Sequence, residues 1–293
     1  MRIARSFGRN LLVIGASVIG LSVLAISPPC LAADGQPRVL MITQSKGFVH
    51  QPVKRPEGQL AECELAMRQL SVQSGVFTLQ TSQDAAADMT RENLQKFDIV
   101  MFYTSGDLPI SAENMNYFIN DWLKQAKHGF IGVHSSTDTF KENKLYYEMI
   151  GGSFIGHPWG ANTQVTISVH EPNHPTMLPF GREITMKEEI YQYRNWRPEN
   201  VRVLMSLDME KTELKRPEHV PIAWVKQWGQ GRIYYNNLGH RPDTWQNKQF
   251  LASILAAINW IGADSEAMAK PNPELSRQLG ELAAKAAGQA DRK

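Results

Sequence analysis

Residues 98–138, DIVMFYTSGDLPISAENMNYFINDWLKQAKHGFIGVHSSTD, carry the pattern that decides the fold. Asp98–Tyr103 is a short apolar run, Ser111–Lys127 has helical spacing, and Gly129–Val133 is a second apolar run. Ser111 suits the helix N-cap and Glu113 its first turn, because both answer the free N–H groups there. Two strand-length apolar runs joined by a helix make a βαβ unit, and such units build a parallel sheet. Toward the N-terminus, Arg38–Thr43 reads as a strand, Pro56–Ser74 as a helix closed by Gly75, Val76–Thr81 as a strand, and Thr90–Gln95 as a short helix. Beyond Gly151 the style changes to strands: Gln164–His170, Glu189–Tyr193, Val201–Leu207, Ile222–Trp228 and Gly231–Asn236. Gly229-Gln230-Gly231 joins the last two as a hairpin, and Thr244–Ile261 reads as an apolar helix. The expectation is an α/β fold with a layered, mostly parallel sheet and added antiparallel strands in its C-terminal half.

Composition bounds the function. With 293 residues, 42% hydrophobic and 20% charged, the chain is neither collagen-like, coiled-coil nor wholly disordered. Lys+Arg 31 against Asp+Glu 29 is too balanced for nucleic-acid binding by charge. Arg2, Arg5 and Arg9 precede the uncharged run Leu11–Ile26, then Pro28, Pro29 and the small residues around Ala32. That is the layout of a secretory signal over residues 1–32, cleaved after Ala32. It predicts a periplasmic or secreted protein with no membrane attachment after cleavage. Cys63 is then the single cysteine of the mature chain, so neither an internal disulfide nor a cysteine metal cluster is available. Residues 263–293 form a polar tail, read as frayed helix or disorder.

In a parallel sheet, chemistry gathers at the carboxyl ends of the strands. There stand His50 after the first strand, Asp107 after the third, and His134 and Asp138 after the fourth. Gly132-Val-His134-Ser-Ser has the shape of a nucleophile elbow, with histidine where a hydrolase carries Ser or Cys. An imidazole there suits a base, an acid or a metal ligand rather than an acyl nucleophile. His157 lies among glycines in GGSFIGHP, and His240 follows Gly239 beyond the hairpin. Glu188 and Glu189 are adjacent at a strand start, so alternation turns only one of them inward.

GVHSSTDTF (132–140), GGSFIGHP (151–158), EEIY (188–191), PIAWVKQWGQGRIYYNNLGH (221–240) and NW (259–260) together resemble the ThuA-like, or trehalose-utilisation, family over residues 38–262. The resemblance implies a flavodoxin-like fold of the class I glutamine amidotransferase type. It also implies loss of amidotransferase chemistry, since the elbow cysteine is His134. It suggests a small carbohydrate substrate, disaccharide or glycoside, broken down through a 3-keto-glycoside made by a partner sugar dehydrogenase. The family's functional glutamate maps onto Glu189, and Lys187-Glu188-Glu189 departs from the family's Asp-Glu, which leaves the role of Glu188 open. On this reading His134, Glu189 and His240 are catalytic, while His50, Asp107, Asp138, His157 and Tyr191 bind substrate. His50, His134, His240 and Glu189 are also the ligand set for a divalent metal ion, although no HxH or HExxH spacing announces one. Trp159 and Trp196 are available for sugar stacking or for the core. Two other classes stay open: a non-catalytic carbohydrate-binding or scaffolding module, and a metal-dependent hydrolase of another substrate.

Overall fold

A computed structural model describes residues 35–264 and 267–290; the signal segment at residues 1–32 lies outside them. In chain order the elements are β1 (Arg38–Ile42), α1 (Glu62–Ser74), β2 (Thr78–Ser82), α2 (Ala85–Asp88), α3 (Arg91–Leu94), β3 (Ile99–Phe102) and α4 (Ala112–Tyr117). There follow β4 (Gly129–Val133), α5 (Lys144–Ile150), β5 (Ser153–Trp159), β6 (Gln164–Val169), β7 (Glu183–Lys187) and β8 (Ile190–Arg194). The chain ends with β9 (Arg202–Leu207), β10 (Pro221–Trp228), β11 (Gly231–Asn236), α6 (Lys248–Gly262) and α7 (Pro273–Ala290).

Nine strands make one sheet in the order β2-β1-β3-β4-β11-β10-β9-β6-β7. The pairs from β2 through β11 are parallel, and those from β11 through β7 are antiparallel. β5 and β8 form a separate antiparallel pair. Alternation along the central strands sorts side chains to two faces. Val39, Met41, Ile99 and Met101 join Met67 of α1 and Ile254 and Ile258 of α6. Leu40, Ile42, Val100 and Phe102 join Met115 of α4 and Tyr146 and Met149 of α5. These central strands are buried on both faces, which explains their unbroken apolar runs.

The parallel half and the β10–β11 hairpin match the sequence reading, with ends shifted by a residue or two. Three differences have physical causes. α1 begins at Glu62, not Pro56, because Glu64 caps it: its carboxylate accepts the Ala61 N–H at 2.9 Å and is ion-paired with Arg55 at 2.8 Å. The Ser111–Lys127 helix stops early: α4 ends at Tyr117 and continues as a π-helical turn, Phe118–Trp122, whose Phe118, Ile119 and Trp122 are buried. Residues 273–290, expected as frayed helix or disorder, form a helix with Ser276, Ala283 and Ala286 on a buried stripe at helical spacing. Cys63 is buried in the core as a small apolar residue, and burial pushes its thiol up.

Two histidines other than His50, His134 and His240 set an acid limit on stability. His174 is buried with Nδ1 2.8 Å from the Thr176 hydroxyl, and His219 places Nε2 2.6 Å from the Ser206 hydroxyl. Burial, reinforced by Arg202, pushes His174 down to about 4; burial, reinforced by His170, pushes His219 down to about 3. Between those values and the ordinary 6.5 the unfolded chain binds protons that the folded chain refuses, so stability falls as pH falls. We expect the thermal midpoint to be highest above pH 6.5 and to drop steadily toward pH 4, with a smaller drop in His219→Gln. A midpoint unchanged over that range, read by calorimetry, would contradict this.

Candidate metal centre

Three loops leave the carboxyl edge of the parallel strands and bring one imidazole each to a common point. His50 follows β1, His134 follows β4, and His240 follows β11. Glu189 arrives from the opposite side, one residue before β8. Ligand atoms of these four residues all lie within 4.8 Å of one another.

His134 is set by an unusual backbone. Its φ of +44° is the left-handed region that a β-carbon disfavours, and its neighbours hold it there. The Tyr235 hydroxyl donates to the His134 carbonyl at 2.7 Å, and the His134 Nδ1–H donates to the Asn237 carbonyl at 2.7 Å. Gly132 leaves room for the turn, since a Cβ there would lie 2.7 Å from the Ser136 hydroxyl. With Nδ1 committed as a donor, the Nε2 lone pair of the neutral ring faces inward.

His134 Nε2, His240 Nδ1 and Glu189 Oε1 form a triangle. Its sides are 3.3 Å between the imidazoles, 3.5 Å from His134 to Glu189 and 3.1 Å from His240 to Glu189. Ligands about 2.1 Å from a cation stand about 3.0 Å apart at right angles and about 3.4 Å apart at tetrahedral angles. The triangle therefore fits two histidines and a carboxylate on one face of a divalent ion, leaving further positions open. With an uncharged ring, His134 Nε2 and the Glu189 oxygen would both be acceptors, and the gap between them then calls for a cation, whether a proton on an imidazole or a metal ion. His50 stands beside the triangle, its ring 4.8 Å from that of His134 and 5.2 Å from that of His240, nearly perpendicular to both. Its Nε2 lies 3.3 Å from the Tyr191 hydroxyl, and its buried Nδ1 has no hydrogen-bond partner among the described residues.

Burial and the neighbouring imidazoles push His50 down to about 2, so it is neutral at ordinary pH. Burial opposes charge on Glu189, but hydrogen bonds and positive charge from His134 and His240 outweigh it and hold the carboxyl well below its usual range. Burial raises the Tyr191 hydroxyl, with the Glu189 charge adding to the rise.

The remaining sequence candidates divide. His157 lies on β5, its side chain 50% exposed, with Nδ1 3.3 Å from the second oxygen of Glu189. Its glycine-rich stretch forms a strand paired with β8, which is why His157 meets Glu189 at all. Tyr191 packs its ring 4.3 Å from that of His134. Asp138 is ion-paired with Lys141 at 2.8 Å, while its carbonyl accepts the Gly106 N–H. Asp107 is exposed on the loop after β3 and lies outside the cluster. Trp159 is fully buried, and Trp196 packs against Trp224 and Tyr193.

Sequence reasoning left Glu188 open and missed Asn237. Glu188 is fully buried, and its carboxylate accepts the N–H of Glu189 at 3.0 Å, the N–H of Gly239 at 3.1 Å and the Thr244 hydroxyl at 2.6 Å. It thereby fastens the Glu189 arm to the turn that carries His240. The adjacent carboxylates thus divide into one that ties the loops and one that faces the cluster. Asn237 contributes through its carbonyl, which no side-chain motif reveals.

The family model for ThuA, described as trehalose utilisation, matches residues 38–261. Among solved structures, the chain is similar to a ThuA-like protein of Bacteroides uniformis ATCC 8492 at 18% identity and TM-score 0.60, over 84% of this chain and 99% of that one. It is also similar to a ThuA-like protein of Parabacteroides merdae ATCC 43184 at 12% identity and TM-score 0.60, over 82% of this chain and 98% of that one. No curated protein matches the sequence.

The two glutamates should separate under mutation. Glu188→Ala, which leaves buried donors unanswered, is expected to destabilise the fold by about 3 kcal/mol in urea unfolding. Glu189→Gln should keep the urea midpoint near wild type, and elemental analysis should find a stoichiometric divalent ion in the wild-type protein and none in the variant. Equal destabilisation by both, or cation content unchanged in Glu189→Gln, would refute the division.

Proposed function

Because this chain belongs to the ThuA (trehalose utilisation) family, we propose that it breaks down a glycoside outside the cytoplasm, at the cluster of His50, His134, His240 and Glu189. The observation that carries this reading is convergence: three histidines from separate strand ends and one carboxylate lie within 4.8 Å. The trehalose-utilisation context supports a carbohydrate substrate, and the Arg2-to-Ala32 layout supports export.

Direct hydrolysis of a glycosidic bond uses two carboxyl groups flanking it. The adjacent Glu188 does not serve as the second, because it is bound to three internal donors. A 3-keto-glycoside asks for something else: a proton acceptor at C2, a proton donor at the leaving oxygen, and an electrophile near the C3 oxygen. His157, half-exposed and with Nδ1 3.3 Å from the outer oxygen of Glu189, has the route to solvent that a proton carrier needs. It takes the C2 proton as the C2–H pair becomes the C1–C2 double bond and the C1–O bond breaks. The same imidazolium then protonates the departing oxygen, and water adds across the double bond. Glu189 orients His157 through one oxygen and faces His134 and His240 with the other. A divalent ion held by His134, His240 and Glu189, with His50 alongside, supplies the electrophile when bound. A reaction that oxidises C3 of the sugar, of the dehydrogenase class, must precede this one.

The test is release of 4-nitrophenol from 4-nitrophenyl 3-keto-β-D-glucopyranoside, compared with the unoxidised glucoside. Turnover should be confined to the keto compound and lost together with the ion in His134→Ala. In His157→Gln, turnover should fall about 100-fold or more with the ion retained. Equal turnover of both compounds would overturn the keto requirement. A retained ion without turnover of either would return the protein to a binding role.

A further inference from the structure

The loop between β1 and His50 is held firmly at several points. Ser45 pairs with Ser105 in a parallel bridge. The N–H groups of Lys46 and Gly47 both donate to the Ser105 carbonyl, at 2.7 and 3.2 Å, and the Ser105 hydroxyl donates to the Phe48 carbonyl at 2.6 Å. The approach is so close that a Cβ on Gly106, whose φ is +72°, would lie 2.5 Å from the Gly47 nitrogen. A loop anchored this way does not expose a side chain by wandering. It nevertheless presents Phe48 65% exposed and Val49 44% exposed, immediately before His50, which is 2% exposed.

The exposed ring is also placed. Phe48 meets His50 edge to face, with ring centroids 4.8 Å apart. Across the cluster, Phe154 packs 4.2 Å from Tyr191 and lies nearly parallel to His157, and the Lys141 ammonium sits 5.4 Å over its ring. The rings Phe48, His50, His134, Tyr191 and Phe154 therefore follow one another around the centre. Both tryptophans that the sequence offered for stacking are committed to packing, Trp159 in the core and Trp196 against Trp224. An isolated exposed apolar side chain is ordinary on a protein surface. A rigidly presented aromatic ring one residue removed from a centre ligand is the arrangement that orients a ligand with one apolar face.

We propose that Phe48 is the specificity platform of the site, on which the C–H face of a pyranoside lies while its polar edges reach toward His157 and Glu189. This rests on the reading that the centre acts on a glycoside, and it narrows the substrate class to pyranosides with an unhindered C–H face, such as β-glucosides and their 3-keto derivatives, which keep the axial H1 and H5. It assigns Phe48 to substrate binding and not to the ion or to proton transfer.

The test needs no turnover. Saturation-transfer NMR of the full-length protein with methyl β-D-glucopyranoside should show the strongest transfer at H1, H3 and H5, the protons of one ring face. Phe48→Ser should raise the dissociation constant about tenfold and erase that pattern, whereas Phe48→Trp should preserve it. Ion content and thermal midpoint should match wild type in both variants. No transfer in the wild type, or the same pattern in Phe48→Ser, would overturn the platform. Failure of the keto-glycoside assay with this pattern intact would count against the proposed reaction and leave the platform standing.

Discussion

The hydrogen bond from His134 Nδ1 to the Asn237 carbonyl ties the ends of two neighbouring parallel strands, and the centre depends on it. It commits Nδ1 as the donor, so whenever the ring is neutral the inward nitrogen is the one with the lone pair. It also helps hold a φ of +44° that the residue would not choose alone, together with the Tyr235 hydroxyl on the same residue's carbonyl. Asn237 itself is placed by its N–H on the Ile222 carbonyl and its side-chain amide on the Tyr193 hydroxyl. The position of one ring nitrogen therefore traces back to β10, β11 and β8. Strain of this kind persists only where the surroundings over-determine it, and here they do so from three elements.

Glu188 plays the matching part on the other side. The small β5–β8 pair is not hydrogen-bonded into the main sheet, so some other contact must register it against the strand ends. The buried Glu188 carboxylate does this with two bonds, from the Gly239 N–H beside His240 at 3.1 Å and from the Thr244 hydroxyl at 2.6 Å. Glu189 and His240 are thereby positioned by one group, which accounts for their 3.1 Å separation in a site assembled from distant segments. A buried carboxylate is costly unless fully answered, and its internal donors offset that cost.

Much of this was legible in the sequence because two regularities hold in any parallel α/β sheet. Apolar runs such as Asp98–Tyr103 and Gly129–Val133 mark strands buried on both faces, and polar residues just past their ends face a common edge. That rule points to His50 and His134, and also to Asp107, which lies outside the cluster, whereas His240 stands out as a histidine beside Gly239 after the hairpin. The remainder depends on pairings that no local pattern encodes. GGSFIGHP has too many glycines to read as a strand, and only its pairing with β8 makes it one. The two adjacent glutamates could not be assigned from alternation alone, since Glu188 and Glu189 precede β8 and are not part of its ladder. Trp159 and Trp196 are amphipathic by type, so exposure could not be decided without knowing what packs against them. Phe48 was passed over because nothing in Lys-Gly-Phe-Val says that Ser105 pins the loop.

The fold also explains why a histidine at the elbow suits proton or metal chemistry and not acyl transfer. An elbow thrusts one side chain into the space above the sheet, and in acyl-transfer versions backbone N–H groups beside it receive the developing oxyanion. Here the space above His134 is filled by His240, Glu189 and the Tyr191 ring, with centroids or polar atoms 3.3 to 4.3 Å away. The Glu189 carboxylate and the Tyr191 ring face would oppose an oxyanion and favour a cation. The same backbone corner thus inverts the sign of charge it prefers, and the inversion is written by the side chains that converge on it.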